Sequence, residues 1–264
     1  MRYACGVEYD GHGFLGFQIQ IQEPTIQSCL EKAFSKVANH DIRIICSGRT
    51  DTGVSATAQV IHFDSESKRS DYQWIMGVNT SLPNGISLIW IKKVTNDFHA
   101  RFSAIQRSYQ YVIFNRWIRP AINRNNLSWE RLPLNEGEMH QAAQYLLGQH
   151  DFNAFRSSAC QSKTSIKTIN SISVKRQGNK VIMVVAASGF LHHMIRNIIG
   201  TLLPIGRGEK TAQTLLKVLE SKDRTKAGIT AAPNGLSFNV VKYPKKYNLP
   251  EKPIANHLPQ HYEK

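Results

Sequence analysis

One carboxylate stands out for its setting. Asp51 lies in Ser47-Gly48-Arg49-Thr50-Asp51-Thr52-Gly53-Val54, a short polar segment between two apolar runs at 42–46 and 58–63. Glycines bracket it at Gly48 and Gly53, and Arg49 stands two residues before it. A charge needs a reason to stand at a strand end, because burying it is costly. Glycine lets such a loop turn tightly. The carboxylate has two readings: a nucleophile at an electrophilic carbon, as in covalent glycosyl transfer, or a loop cap paired with Arg49. Arg196 is the second candidate, in Leu191-His192-His193-Met194-Ile195-Arg196-Asn197. If buried, it needs an anionic partner; if that partner is Asp51, the pair keeps the carboxylate ionised by lowering its pKa. The apolar periodicity around it is equally compatible with the solvent face. Tyr109 falls on the inward phase of an alternating run, which suits the core, and its hydroxyl allows a role in a site. No phosphate-binding loop, dinucleotide fingerprint or H-E-x-x-H pattern is present.

The charge balance narrows the partner. Of 264 residues, 33 are Lys or Arg and 19 are Asp or Glu, a formal charge of +14. Such an excess favours a polyanion, because each phosphate neutralised releases counterions; a merely solubilising surface is the plainer alternative. The segment 115–131 interleaves Arg116, Arg119, Arg124 and Arg131 with Trp117 and Trp129. That mixture suits phosphate contact with base stacking, and also an ordinary solvated loop. His192 and His193 are adjacent, so on a helix they point in different directions. That argues against joint metal ligation and for a polar helix start or an RNA contact. Cys5, Cys29, Cys46 and Cys160 show no metal-ligand spacing. A disulfide framework is not expected, and a reducing cytosol is the default. The start of the chain lacks the apolar core of a signal peptide. The apolar stretch 181–191 is too short to span a bilayer.

The elements that must position these residues follow from periodicity. The alternation of Tyr3, Cys5, Val7 and Tyr9 reads as a strand. A Gly-rich loop at 10–16 precedes a helix with Ile26, Leu30, Ala33, Phe34 and Val37 inside and Thr25 as its cap. Strands are predicted at 42–46, 58–63 and 86–94, with a second helix capped by Ser70. The order is β-α-β-β-α-β, the split arrangement of ferredoxin-like domains. The second half is similar in order: a strand through Tyr109, Tyr111 and Ile113, a helix capped by Asn135 and ending at Gly148, and strands at 169–175 and 181–187. A helical stripe from Leu191 to Leu202, a helix near 211–219 and a strand at 236–241 complete it. The expected class is α+β, with two ferredoxin-like βαββαβ-type halves forming an extended, largely antiparallel sheet. Helices would cover one face, and the basic charge would converge on an RNA-binding cleft. The expected spans are 1–104 for the half with the Asp loop, 105–245 for the half with the insertion, and 246–264 for an extended tail; the whole of 243–264 reads as extended or partly disordered.

Taken together, these residues resemble the TruA family of tRNA pseudouridine synthases, in order and over nearly the whole chain. The resemblance rests on Glu8-Tyr9-Asp10-Gly11, the run 14–18, Gly48-Arg49-Thr50-Asp51, Asp97-Phe98-His99-Ala100-Arg101-Phe102-Ser103-Ala104, Tyr109-Gln110-Tyr111, 148–155, 192–200 and Gly235-Leu236. It implies isomerisation of uridine to pseudouridine at positions 38, 39 and 40 in the anticodon stem-loop of tRNA. Asp51 matches the family's catalytic aspartate, Arg196 its basic partner, and Tyr109 the tyrosine packed on the target base. Arg49 matches the arginine that helps hold the nucleotide out of the stack, and Leu236 an apolar wall of the pocket. Ser55, Arg101, His192 and His193 are further candidates for RNA contact. The resemblance also implies a homodimer with neither metal nor organic cofactor; the expected compartment is the cytoplasm. Thr52 stands where Ala is common, Ser55 where His is common, and Phe17 where Trp is frequent. Ser165 and Lys167 replace a Pro and an Arg, and Lys does not reproduce the bidentate phosphate fork of Arg.

The chemistry fits such a set. The target base must leave the stack, the N1–C1′ bond must break, and C5 must bond to C1′. Attack of Asp51 at C1′, attack at C6 of the base, and a glycal route are all compatible with the sequence. Two rival readings are a non-catalytic RNA-binding protein on the same scaffold and an Asp-dependent nucleoside hydrolase. The hydrolase would release free uracil.

Overall fold

The computed structural model describes residues 1–21 and 24–250; the expected tail beyond residue 250 lies outside the described residues. The chain is mixed α+β. Its elements are β1 (Arg2–Tyr9), α1 (Ile26–Ala38), β2 (Ile45–Cys46), β3 (Ser55–Asp64), α2 (Asp71–Ser81), β4 (Ile86–Val94), β5 (Gln106–Asn115), β6 (Ser128–Glu130), α3 (Glu136–Gln144), β7 (Gly148–Asp151), β8 (Ile166–Gln177), β9 (Lys180–Ala187), α4 (Met194–Gly206), α5 (Gln213–Ser221) and β10 (Leu236–Lys242). It divides into two compact units, Met1–Ile105 with Ser237–Lys264, and Gln106–Leu236.

In the first unit β1 is central. It pairs antiparallel with β3, from Arg2↔Asp64 to Tyr9↔Ala56, and with β4, from Arg2↔Val94 to Tyr9↔Ile86. The other edge of β3 is shared. β2 pairs antiparallel with its far end (Ile45↔His62), and β10 runs parallel to its start (Ser237↔Ser55, Phe238↔Ala56). Both helices begin at capping boxes, on Thr25 and Ser70, where a side-chain oxygen satisfies an otherwise orphaned N–H. The core beneath them is aromatic: the Phe63 ring lies 5.3 Å from Tyr3, 4.7 Å from Phe34 and 5.3 Å from Trp74.

The expected strand at 42–46 shrinks to two residues. Ile42 donates its N–H to Ser35 Oγ (2.8 Å) and Ile44 donates to Glu31 Oε1 (3.0 Å). Side chains of α1 thus take the hydrogen bonds a sheet neighbour would have taken, while Ile42 and Ile44 still bury their side chains. The segment after β10 is not simply extended tail either. Tyr243 and Tyr247 pack on Phe98 at 5.1 and 5.0 Å between ring centroids. The polar composition there conceals two aromatic anchors.

In the second unit β5 pairs antiparallel with β9 (Tyr109↔Val185), β9 with β8 (Ile172↔Val185) and β8 with β7 (Gly148↔Ile169). The insertion 115–131 contains β6, parallel to the end of β5 (Ile113↔Ser128). α3 is capped by Asn135, as expected, but ends at Gln144 rather than at Gly148. Gly148 has φ +91 and opens β7 instead, a left-handed conformation that glycine accepts without strain.

Candidate active site

The loop 47–54 joins β2 to β3 and is supported by a buried amide. Gln59 on β3 is fully buried. Its Oε1 accepts from Ser47 N–H (3.2 Å) and Ser47 Oγ (2.6 Å), and its Nε2 donates to Gly48 O (2.6 Å) and Tyr9 Oη (3.3 Å). Tyr9 Oη lies 2.8 Å from Thr50 Oγ1. Burial pushes the Tyr9 phenol far above its ordinary pKa, so it stays protonated and available as a donor.

Backbone contacts hold the loop from the other side. Thr50 O accepts Phe17 N–H (3.0 Å) and Asp51 O accepts Val54 N–H (3.1 Å). Gly16, with φ +85, lies so close that a Cβ there would sit 3.0 Å from Thr50 O and 3.2 Å from the Asp51 carbonyl carbon. The main chain is therefore tied on both sides of Asp51, and the side chain is half-buried. Ser55 Oγ accepts Gly11 N–H at 3.0 Å, which ties β3 to the Gly-rich loop. Arg49 is exposed. Burial pushes the nearby Cys46 thiol up to about 11 against the opposing pull of Arg49 and Arg101.

The second unit carries the other candidates. Tyr109 on β5 is buried and meets Phe190 edge-to-face at 5.0 Å. Arg196, half-buried on α4, donates from Nε to Ala231 O (2.7 Å), and Ala231 N–H returns to Arg196 O (3.1 Å). The strap 228–236 that holds Arg196 also meets β5, where Tyr111 Oη donates to Ala232 O (2.8 Å) and Gly235 O accepts Val112 N–H (2.8 Å). Burial pushes the Tyr111 phenol up to about 12. The strap approaches α4 so closely that a Cβ on Gly200 would fall 1.7 Å from Ile229 O. Leu236 is buried at its end.

One expectation changes here. The rings of His192 and His193 do not point apart; they lie 4.0 Å apart at 34°. α4 begins only at Met194, and His193 sits in the left-handed region with φ 62. Helical side-chain directions therefore do not apply to the pair.

Of the expected site residues, Arg49, Asp51, Ser55 and Arg101 belong to the first unit and Tyr109, His192, His193, Arg196 and Leu236 to the second. Sequence reasoning missed Gln59 and Tyr9, which hold the loop. A glutamine at a fully buried strand position was the available signal, since a buried amide must be satisfied.

A basic, mixed α+β chain with a carboxylate held in a braced loop suits an enzyme that works on a polyanion, and comparison defines its kind. The chain belongs to the tRNA pseudouridine synthase family, whose model matches residues 6–103 and 142–244. The tRNA pseudouridine synthase A of Colwellia psychrerythraea is 49% identical over 97% of this chain and 98% of its own length. That of Pseudoalteromonas atlantica is 50% identical over 95% of each. Among solved structures, an H/ACA RNP bound to a substrate RNA containing 2′-deoxyuridine is 14% identical, with a TM-score of 0.35 over 76% of this chain and 44% of that one. The activity is accordingly that of an isomerase acting on tRNA, converting uridine to pseudouridine.

Proposed function

We propose that the substrate uridines are those at positions 38, 39 and 40 of the tRNA anticodon stem-loop, and that Asp51 starts the reaction. The observation that supports this most is the bracing of the loop. Gln59 and Phe17 bond its backbone, Tyr9 meets the Thr50 hydroxyl and Gly16 packs against it, yet the Asp51 carboxylate is left half-buried at its surface. A catalytic group held by its main chain needs little reorganisation when the substrate arrives. The isomerisation adds and removes no net atoms. N1–C1′ breaks, C5–C1′ forms, the C5 proton leaves, and N1 ends protonated. Attack at C1′, attack at C6 and proton removal on the glycal route each assign the first step to Asp51.

Arg196, Tyr109, Arg49 and Leu236 are proposed as the basic, stacking, nucleotide-holding and wall-forming members of the same set. Ser55, Arg101, His192 and His193 are proposed RNA contacts. Two ferredoxin-like halves, a homodimer and a cytoplasmic location belong to the same reading. The arrangement of β4, β1, β3 and β2 in the first unit supports the fold. Among the described residues no helix is long and apolar enough to cross a membrane.

The test is tritium release from tRNA carrying 5-tritiated uridine, followed by mapping of the modified positions. The wild type is expected to release tritium from positions 38–40. Asp51→Asn is expected to bind tRNA and release none. Release by both proteins removes Asp51 from the chemistry.

A further inference from the structure

We propose that Phe102, lying on His99 and flanked by Arg101, is a stacking subsite for an unpaired base of the tRNA substrate. The inference rests on tRNA being the substrate and adds a subsite outside the Asp51 loop. Phe102 is 75% exposed, which is unusual for a phenylalanine, yet its surroundings are fixed. Its ring lies 4.3 Å from the His99 ring at 30°. His99 Nδ1 accepts the N–H groups of both Arg101 and Phe102 at 3.2 Å, so the imidazole is held in orientation against the phenyl ring.

The residues on either side are clamped as well. Ala100 donates its N–H to His62 Nδ1 (3.1 Å) and accepts from Tyr243 Oη (2.7 Å). Phe98 is fully buried against Tyr243 and Tyr247. Asp97 takes Lys246 Nζ (2.7 Å) and Tyr247 Oη (3.1 Å). His99 N–H bonds Ser103 Oγ (3.0 Å), and Ser103 N–H bonds His99 O (2.9 Å). An exposed ring held this firmly loses little freedom when a flat ligand covers it.

The chemistry of the occupant follows from the neighbours. The Arg101 guanidinium lies over the Phe102 ring, 5.5 Å from its centroid. An exposed aromatic ring that carries a cation matches a base with its phosphate, the combination by which proteins hold single-stranded nucleic acid. The His99 ring also lies 4.8 Å from that of His62 on β3, and His62 pairs with Ile45 on β2, so the platform stands beside the strand that leads into the Asp51 loop. A base there would be a neighbour of the reacting nucleotide rather than the target. A second protein copy is the poorer fit, because one ring is far smaller than the apolar centre of a stable interface.

The experiment compares Phe102→Ala, Phe102→Leu and Phe102→Trp. Affinity for fluorescently labelled tRNA is measured in the Asp51→Asn background, and KM and kcat in the otherwise wild-type chain. Stacking predicts affinity about 5- to 150-fold weaker for Ala, nearly as weak for Leu, and restored by Trp. KM should rise with kcat little changed. Because the side chain is exposed, thermal unfolding should stay where it was, and the Trp variant guards against a folding defect. Leu binding as well as Phe, Ala without effect, or a change in oligomeric state at unchanged tRNA affinity each overturns the proposal. Tritium release that persists in Asp51→Asn counts against the catalytic role of Asp51 and leaves this comparison intact.

Discussion

Replacing Gln59 with leucine should loosen the Asp51 loop without touching the carboxylate. The amide makes four hydrogen bonds, and their loss is unequal. Ser47 N–H keeps Val60 O at 2.8 Å and Tyr9 Oη keeps Thr50 at 2.8 Å. Ser47 Oγ and Gly48 O lose the short bonds of 2.6 Å that each makes to the amide. A buried polar group left unpaired costs about 1–3 kcal/mol. For the Gly48 carbonyl alone this is a loss of about 1–3 kcal/mol, which burying a leucine in place of an amide partly offsets. That is a sizeable part of a typical stability of about 5–15 kcal/mol. It should appear in urea unfolding as a lower midpoint at unchanged slope. Because a displacement of about 1 Å at a reacting group costs about a hundredfold in rate, kcat for tritium release should fall about 10- to 100-fold, with KM changed far less. Tyr9→Phe removes only the shared hydroxyl and should cost about 1 kcal/mol. A Gln59→Leu protein with wild-type kcat would refute the idea that this amide sets the loop, even if its stability fell.

Two further outcomes follow from close packing and from burial. Gly200→Ala would place a methyl group 1.7 Å from Ile229 O, so strap or helix must move, at about 3 kcal/mol or more. Thermal unfolding should drop by about 6–12 °C and turnover with it, as the strap carries the Ala231 contacts of Arg196; an unchanged midpoint contradicts the packing described. For His62, burial first and then the charge of His99 hold the pKa down at about 4 against an ordinary 6.5. The unfolded chain therefore binds the proton first, so stability is fully present above about 6.5, declines as pH falls towards 4, and levels off below. The ceiling is about 3 kcal/mol, reduced to about half by solvent screening. His62→Asn supplies an acceptor near Nδ1 that does not titrate, so its urea midpoint should depend less on pH between 7 and 4; parallel profiles for the two proteins would disprove the linkage.

The parts of this molecule readable in its sequence are those whose causes are local. Thr25, Ser70 and Asn135 cap helices because their side chains reach N–H groups two or three residues away. The strand at 86–94 has both its signal and its boundaries in one apolar run. The loop around Asp51 was legible because a charge between glycines is rare enough to notice. What escaped depends on distant partners. Ile42 and Ile44 look like strand residues until α1 supplies Ser35 and Glu31. Tyr243 and Tyr247 look like tail residues until Phe98 lies beneath them. The facing of His192 and His193 turns on one left-handed residue before α4, which a helical stripe does not reveal.

The return of β10 to the first unit bears on how the protein is born. A ribosome delivers β1 to β4 first and then the entire second unit, an interval on the order of ten seconds, before it delivers the strand that pairs with Ser55 and Ala56. Throughout that time the start of β3, immediately after the Asp51 loop, lacks its parallel neighbour, and Phe98 lacks the two tyrosines that cover it. The Asp51 loop is thus synthesised early, and the strand that pairs beside it only after the second unit. A chain interrupted after the second unit would carry every candidate residue from Arg49 to Leu236, yet present an open strand edge where the finished enzyme has a sheet. β10 thus ties the pairing of β3, beside the Asp51 loop, to residues made only after the whole second unit.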